Sequence, residues 1–413
     1  MMMLLSGRDK LFVLSAMLCG FFISADYAIV RPVSNSLFLS HFSGDMLPYV
    51  WLLGLPFNLI CVALYNRYLT RVGVWGMFLT IVSVVACSNV VAYFLIGGSS
   101  TASLVHFIWK ELYVLMLFQA LWSVIHSTIS KEQARFFYGI MFGVGGLGSV
   151  LGSLVPGLFA VQLGSEPLLL FSVLTCAVIT LSYAYMLKFT AFAKEDPQEK
   201  DSTSFKATLA LFGEHRLLIF ILALILLMQV SATLMDFQFN QFLQATYIEK
   251  NIRTEFLGRF GSIVSSATLV LQFIGVMVLI RWLGLLGTHA LVPITFAAGA
   301  CATLLFPGIG TYTTTFGMVK VLDYAVFQVA KENLYVSLPV KAKFHAKAFI
   351  DVFAFRASKA FAAFLILGLQ FVQLSELRYI SIAMLLLCCI WLVALRMLSQ
   401  RHQTQEQVFP LPL

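Results

Sequence analysis

The stretch KEDPQEKDSTSFKATLALFGEHR, Lys194 to Arg216, decides how this chain reads. It is the longest polar segment, it clusters charge of both signs, and it holds a proline, Pro197. Apolar runs lie on both sides of it, and crossing a bilayer takes about 20 apolar residues. Such runs fall at about 11–31, 46–66, 74–97, 104–129, 137–163 and 166–189 before the polar stretch. After it they fall at about 217–239, 255–280, 284–306, 310–336, 345–373 and 377–398. The prediction is an all-α polytopic membrane protein with 12 transmembrane helices in two six-helix bundles, residues 1–193 and 217–413, joined by a cytoplasmic linker at 194–216.

Composition agrees. Of 413 residues, 60% are hydrophobic and 11% charged, against roughly 25% charged in soluble domains. That excludes a soluble enzyme, a nucleic-acid-binding protein and a disordered chain. The net charge of +8 reflects topology. The N-terminus and the even-numbered connections hold 17 Lys and Arg, whereas the opposite side holds only Lys250, Arg253 and Arg378. Basic residues stay on the cytoplasmic side, so both termini are predicted inside, with the protein in the bacterial inner membrane. The 7 cysteines all fall within spans without metal spacing and read as small apolar packing residues. The basic, then apolar N-terminus reads as a retained first helix rather than a cleaved signal.

Six plus six around a cytoplasmic linker is the arrangement of major-facilitator-type transporters, whose halves are related by an axis along the membrane normal. A weak internal repeat supports it. Ser24-Ala25-Asp26-Tyr27 in span 1 resembles Leu234-Met235-Asp236-Phe237 in span 7, while Glu111 pairs with Asp323 and Arg135 with Lys347 at a nearly constant offset.

Within the spans lie the bases Arg31, Lys110, Arg259, Lys320, Lys331, Arg356 and Lys359 and the acids Asp26, Glu111, Asp236, Asp323, Glu332 and Asp351. A charge at the bilayer centre costs at least about 2.5–3.5 kcal/mol on insertion scales, so these groups must face one another or a wet cavity. On an ideal helix Lys320, Asp323 and Lys331 lie within about 80° of one another, and Asp351, Arg356 and Lys359 within about 140°. Basic stripes on spans 10 and 11, with acids from spans 1, 4 and 7, suit an anionic polar metabolite. The alternative is that they are buried ion pairs latching the halves together. Asp26 and Asp236 have no base one turn away on their own helices, so each either carries a coupling proton or is hydrogen-bonded to a neighbour.

Gly143-Val144-Gly145-Gly146-Leu147-Gly148 matches GxGxxG, but the dinucleotide reading needs a preceding strand. In an apolar span, small residues instead allow close helix approach. His106 and His126 show no ligand spacing, and no HExxH, GxSxG or Walker A pattern occurs. Neither an enzyme, a metal nor a cofactor is expected.

Three segments carry a family resemblance. Gln133-Ala134-Arg135-Phe136-Phe137-Tyr138 resembles the EAKRFY stretch that opens span 5 of the nucleotide transporters of plastids and intracellular bacteria, the ATP/ADP translocase family. Lys331-Glu332-Asn333-Leu334-Tyr335-Val336 is similar to that family's KEMAYIPL. Lys347-Ala348-Phe349-Ile350-Asp351-Val352, then Arg356-Ala357-Ser358-Lys359, is similar to its GKAAIDV and RLGK stretches. Tyr27, Arg31, Pro48 and Pro56 also fit. The resemblance implies a twelve-helix major-facilitator-like fold and ATP/ADP exchange or proton-coupled nucleotide import. It matches the family's charged positions to Asp236, Glu132 and Lys359. Trp51 stands where the family has a lysine, and Ala360-Phe361 where it has paired glycines.

The combined expectation is a secondary active transporter, antiporter or symporter, working by alternating access. Arg31, Trp51, Lys110, Lys320, Arg356 and Lys359 hold the substrate, and Asp26, Glu111, Asp236, Asp323 and Asp351 pair with them or carry protons. The partners are a small anionic molecule such as a nucleotide, protons and the lipid bilayer, with no nucleic acid. Two alternatives stay open: a proton-coupled carrier of a non-nucleotide anionic or polar metabolite, and a non-transporting lipid-handling protein on the same scaffold.

Overall fold

The computed structural model describes residues 7–129, 131–190, 212, 216–336, 350, 355–374 and 376–408. Among these the chain is helical with short connections and no strand. The helices are α1 (Gly7–His41), α2 (Leu47–Leu95), α3 (Ser100–Thr128), α4 (Lys131–Leu163), α5 (Phe171–Leu187), α6 (Arg216–Thr246), α7 (Lys250–Val270), α8 (Val276–Leu305), α9 (Ile309–Val321), α10 (Gln328–Val336), α11 (Phe355–Phe371) and α12 (Leu377–Val408). Nine helical segments among the described residues are long and apolar enough to cross a membrane. One of them, Lys250–Leu305, has 56 residues. At 1.5 Å per residue that is about 84 Å, far more than one crossing of a core about 30 Å thick.

The excess length is resolved by glycine. Within α8, Gly284 has φ 70° and ψ 174°, and within α2, Gly73 has φ 70° and ψ 175°. This backbone region is essentially open only to glycine, and it turns the chain sharply between two helical runs. The two bends lie 211 residues apart, with Gly76 and Gly287 each three residues further on. The internal repeat suggested by the acids is therefore written in backbone geometry as well.

The chain forms two compact units. The first comprises Met1–Met46, Leu53–Lys200 and Tyr247–Leu269, and the second comprises Leu47–Leu52, Asp201–Thr246 and Val270–Leu413. In the first unit α1 is central and packs against α3, α4 and α5. Its buried residues run round the cylinder, with Phe12, Ile23 and Leu37 on one face and Val13, Ile29 and Leu39 on the others, as expected of a helix packed on several sides. The glycines of α4 set the spacing. A Cβ on Gly148 would strike the backbone of Phe21, and one on Gly152 the backbone of Ala25. Gly157 meets Gly258 of α7 in the same way. The GxGxxG run is thus a helix-packing surface.

The first unit also corrects one sequence expectation. Arg253, read as an outer-loop base, is 1% exposed. Helix α7 begins at Lys250, ahead of the predicted span, and so draws this guanidinium into the packing. It donates to the Ser36 carbonyl at 2.7 Å, the Ser40 hydroxyl at 2.7 Å and the Tyr247 carbonyl at 3.1 Å. Lys250 forms an ion pair with Glu166.

In the second unit α6 packs against α9, α11 and α12, and α8 against α9 and α12. A stretch of π-helix, Leu322–Phe327, joins α9 to α10. Its wider turns add a residue to the helix, rotating every residue beyond it by roughly 100°. The arc expected of Lys320, Asp323 and Lys331 assumed an unbroken α-helix; the insertion turns Lys331 from one side of Lys320 to the other, from about +20° to about −80°, so the three still share an arc of roughly the same width.

Candidate functional site

The candidate charged residues fall into separate small groups within each unit. In the first, Asp26 of α1 is fully buried. Its Oδ1 accepts the Thr175 hydroxyl at 2.6 Å and its Oδ2 the Tyr113 hydroxyl at 2.8 Å. Helices α5 and α3 therefore supply neutral donors, and no ion pair to Asp26 occurs among the described residues. One turn along α3, the Lys110 ammonium lies 3.2 Å from Glu111 and 3.7 Å from the centre of the Phe107 ring. Lys110 is 1% exposed and Glu111 45% exposed, so the pair reaches from the packed interior to an open face. Tyr27 donates to the same Glu111 oxygen at 3.1 Å. Arg31 sits over the Tyr27 ring, 5.8 Å from its centre. Arg31, Lys110 and Glu111 thus share one neighbourhood through Tyr27, whereas Asp26 is held apart by hydroxyls.

A buried neutral network lies beside this cluster. His106 contacts Ser34 through Nδ1 at 3.0 Å and Asn89 through Nε2 at 2.8 Å, and Asn89 donates to Ser172 at 2.8 Å. Such groups are costly to bury unless paired, and here they pair with one another. Ser34, Asn89, Tyr113, Ser172 and Thr175 escaped the sequence reading because common neutral residues give no signal until helices are placed side by side.

In the second unit Asp236 of α6 accepts the Asn240 amide at 2.7 Å and lies 4.0 Å from the Lys320 ammonium. Lys320 also sits 5.1 Å from the centre of the Phe316 ring. Asp323, in the π stretch, is buried and accepts the Gln229 and Gln328 amides at 3.5 Å each. Lys331 is buried one element further on. The related acids of spans 1 and 7 therefore differ, Asp26 meeting hydroxyls alone and Asp236 a cation.

Lys359 of α11 places its ammonium 5.3 Å from the centre of the Trp51 ring. Trp51 is 9% exposed, and both residues belong to the second unit. Among the described residues Lys359 has no carboxylate within ion-pair distance. Asp351 lies outside the described residues, and Arg356 is placed on α11 without a described side chain. Of the second-unit candidates, the structure joins Asp236 to Lys320 and Trp51 to Lys359.

Three comparisons bear on this architecture. A variant of the nucleoside transporter NupG superposes with a TM-score of 0.68 at 10% identity, covering 93% of this chain and 99% of that one. A bacterial homologue of the iron transporter ferroportin gives 0.65 at 12% identity, covering 94% and 98%. The POT family transporter PepTSo gives 0.63 at 12% identity, covering 96% and 99%. At such identities these likenesses establish the fold, that of the major-facilitator transporters. No curated protein matches the sequence. Residues 294–402, which contain Lys320, Asp323, Lys331 and Lys359, match the TLC ATP/ADP transporter family. Over that segment the chain is therefore similar to the ATP/ADP transporter family, and the segment sits within a major-facilitator-like fold.

Proposed function

We propose that this protein is a secondary active transporter that moves nucleotides by alternating access, either exchanging ATP for ADP or importing nucleotide with protons. The observation that carries the reading is Lys359. A lysine within an apolar helix, resting on an aromatic face and without a carboxylate among the described residues, calls for an anion. Cation–π contact returns only about 0.5–2 kcal/mol, whereas a phosphate oxygen supplies a charge-assisted hydrogen bond as well. Lys320 supports the same reading, because a 4.0 Å pair with Asp236 is longer than a hydrogen bond and open to competition by phosphate. Arg31, Lys110 and Arg356 complete the basic set. Asp26, Glu111, Asp236, Asp323 and Asp351 balance it or carry protons. The protein works in the inner membrane with both termini cytoplasmic, as the distribution of basic residues favours.

Trp51 favours one alternative, a non-nucleotide anionic substrate, since an indole offers a single neutral donor where a lysine would offer charge. Uptake into proteoliposomes separates the cases. Labelled ATP entering only against internal nucleotide establishes exchange, and entry that needs a pH gradient establishes proton coupling. Folded protein that moves no nucleotide under either condition refutes the nucleotide assignment.

A further inference from the structure

Within the first unit, α1, α3 and α4 line a half-open cavity of about 250 Å³ whose residues are not those of the charged groups above. Its small-residue sides are Gly20 and Ser24 on α1 and Gly145 and Ser149 on α4, and its aromatic wall is Trp122 and Phe142. The Trp122 and Phe142 rings are 5.3 Å apart, centre to centre. The glycines keep the space open. A Cβ on Gly20 would meet only Leu121, at 3.6 Å, and one on Gly145 would first meet the Ser24 hydroxyl oxygen, at 3.2 Å.

The hydroxyls are the informative feature. Elsewhere on α1, Ser15 and Ser40 return their hydroxyls to carbonyls one turn back, at 2.6 and 2.8 Å, the ordinary way to satisfy such a group in a membrane helix. Ser24 is 8% exposed and lines the cavity, yet makes no such bond. Neither it nor Ser149 has a hydrogen-bond partner among the described residues. Ser149 is half-buried, and both hydroxyls line the cavity instead of closing on a carbonyl, so the two polar groups on an otherwise apolar wall mark places for a ligand's polar edge.

The geometry points to this cavity as a subsite for a nucleobase, with the ring against Trp122 and Phe142 and its edge heteroatoms on Ser24 and Ser149. The inference rests on the nucleotide reading above and names the part of the substrate that this unit recognises. Pockets for drug-sized ligands measure about 300–1,000 Å³, so this smaller cavity suits one ring system rather than a whole nucleotide. No charged residue lines it, which suits a neutral base and not the phosphates. An acyl chain would fit the apolar wall but would leave both hydroxyls unsatisfied.

The test separates base from phosphate in the full-length protein held in lipid nanodiscs, with adenosine and inorganic tripolyphosphate as the two probes. Ser24→Ala and Ser149→Ala should each weaken adenosine binding by roughly threefold to tenfold, the worth of one hydrogen bond, and Ser149→Leu should abolish it. Tripolyphosphate binding should be unchanged in all three. Photolabelling of the unmodified protein with 8-azidoadenosine needs no variant and should mark the peptides holding Trp122 or Phe142. Adenosine binding that survives every substitution, with label elsewhere, overturns the subsite and leaves nucleotide transport standing. Tripolyphosphate binding without adenosine binding overturns the subsite and leaves an anion carrier. If neither probe binds and native mass spectrometry shows a lipid that Ser149→Leu displaces, both readings fall and the cavity belongs to an acyl chain.

Discussion

Replacing Lys359 by alanine distinguishes a substrate cation from a structural one. A buried lysine that latches helices together has a carboxylate partner, and its removal strands that charge at a cost of about 3–5 kcal/mol. Lys359 contacts the Trp51 ring at 5.3 Å and has no carboxylate partner among the described residues. Its loss should therefore cost the empty protein only the cation–π contact, about 0.5–1 kcal/mol. The bound state should suffer more. A hydrogen bond from a charged donor contributes about 1.5–3 kcal/mol, so the Kd for ATP should rise roughly 10- to 150-fold. The assay is ATP binding in nanodiscs alongside a chemical-denaturation midpoint in the same lipid. A loss of about 3 kcal/mol or more in stability with an unchanged Kd would refute the reasoning and make Lys359 a latch.

The same geometry sets three further outcomes. Asp26→Leu takes the acceptor from the buried Tyr113 hydroxyl, while Thr175 keeps the Ser172 carbonyl at 2.9 Å, and should destabilise the fold by about 1–3 kcal/mol, whereas Asp26→Asn keeps an acceptor and should cost less; denaturation of the two variants side by side checks this, and equal losses would contradict it. Gly152→Val drives a side chain into the backbone at Ala25 and should lower the melting temperature far more than Gly139→Val, since nothing lies near a Cβ at Gly139. Gly73→Ala and Gly284→Ala meet no neighbouring atom but must hold φ at 70°, so each should cost about 1–3 kcal/mol through backbone strain alone, read as matched shifts in denaturation midpoint.

The all-helical, membrane-spanning character was legible before any helix was placed, because hydrophobic run length is a property of the chain read in order. The packing role of the Gly143–Gly148 run was legible too, since small residues in an apolar span have one common use. Arg253 was misplaced because its burial depends on where α7 starts relative to α1, and a span drawn from about 255 left it in a loop. The π stretch at Leu322–Phe327 was not foreseen, because an angular argument at about 3.6 residues per turn assumes an unbroken helix. Neutral partners such as Thr175, Tyr113, Asn89 and Gln229 carried no advance signal.

Sequence by itself determined that thirteen ionisable groups stand within apolar spans, and so that they must be compensated, because hydrocarbon solvates no charge. Tertiary structure alone decided the compensation. It satisfied Asp26 with two hydroxyls, gave Asp236 a lysine from another helix, and laid Lys359 on an indole. The physical reason is range. Hydrophobicity accumulates along the chain and can be summed in sequence order. A hydrogen bond or ion pair acts over only about 3–4 Å, yet it joins residues as distant in the chain as Asp26 and Thr175, 149 positions apart.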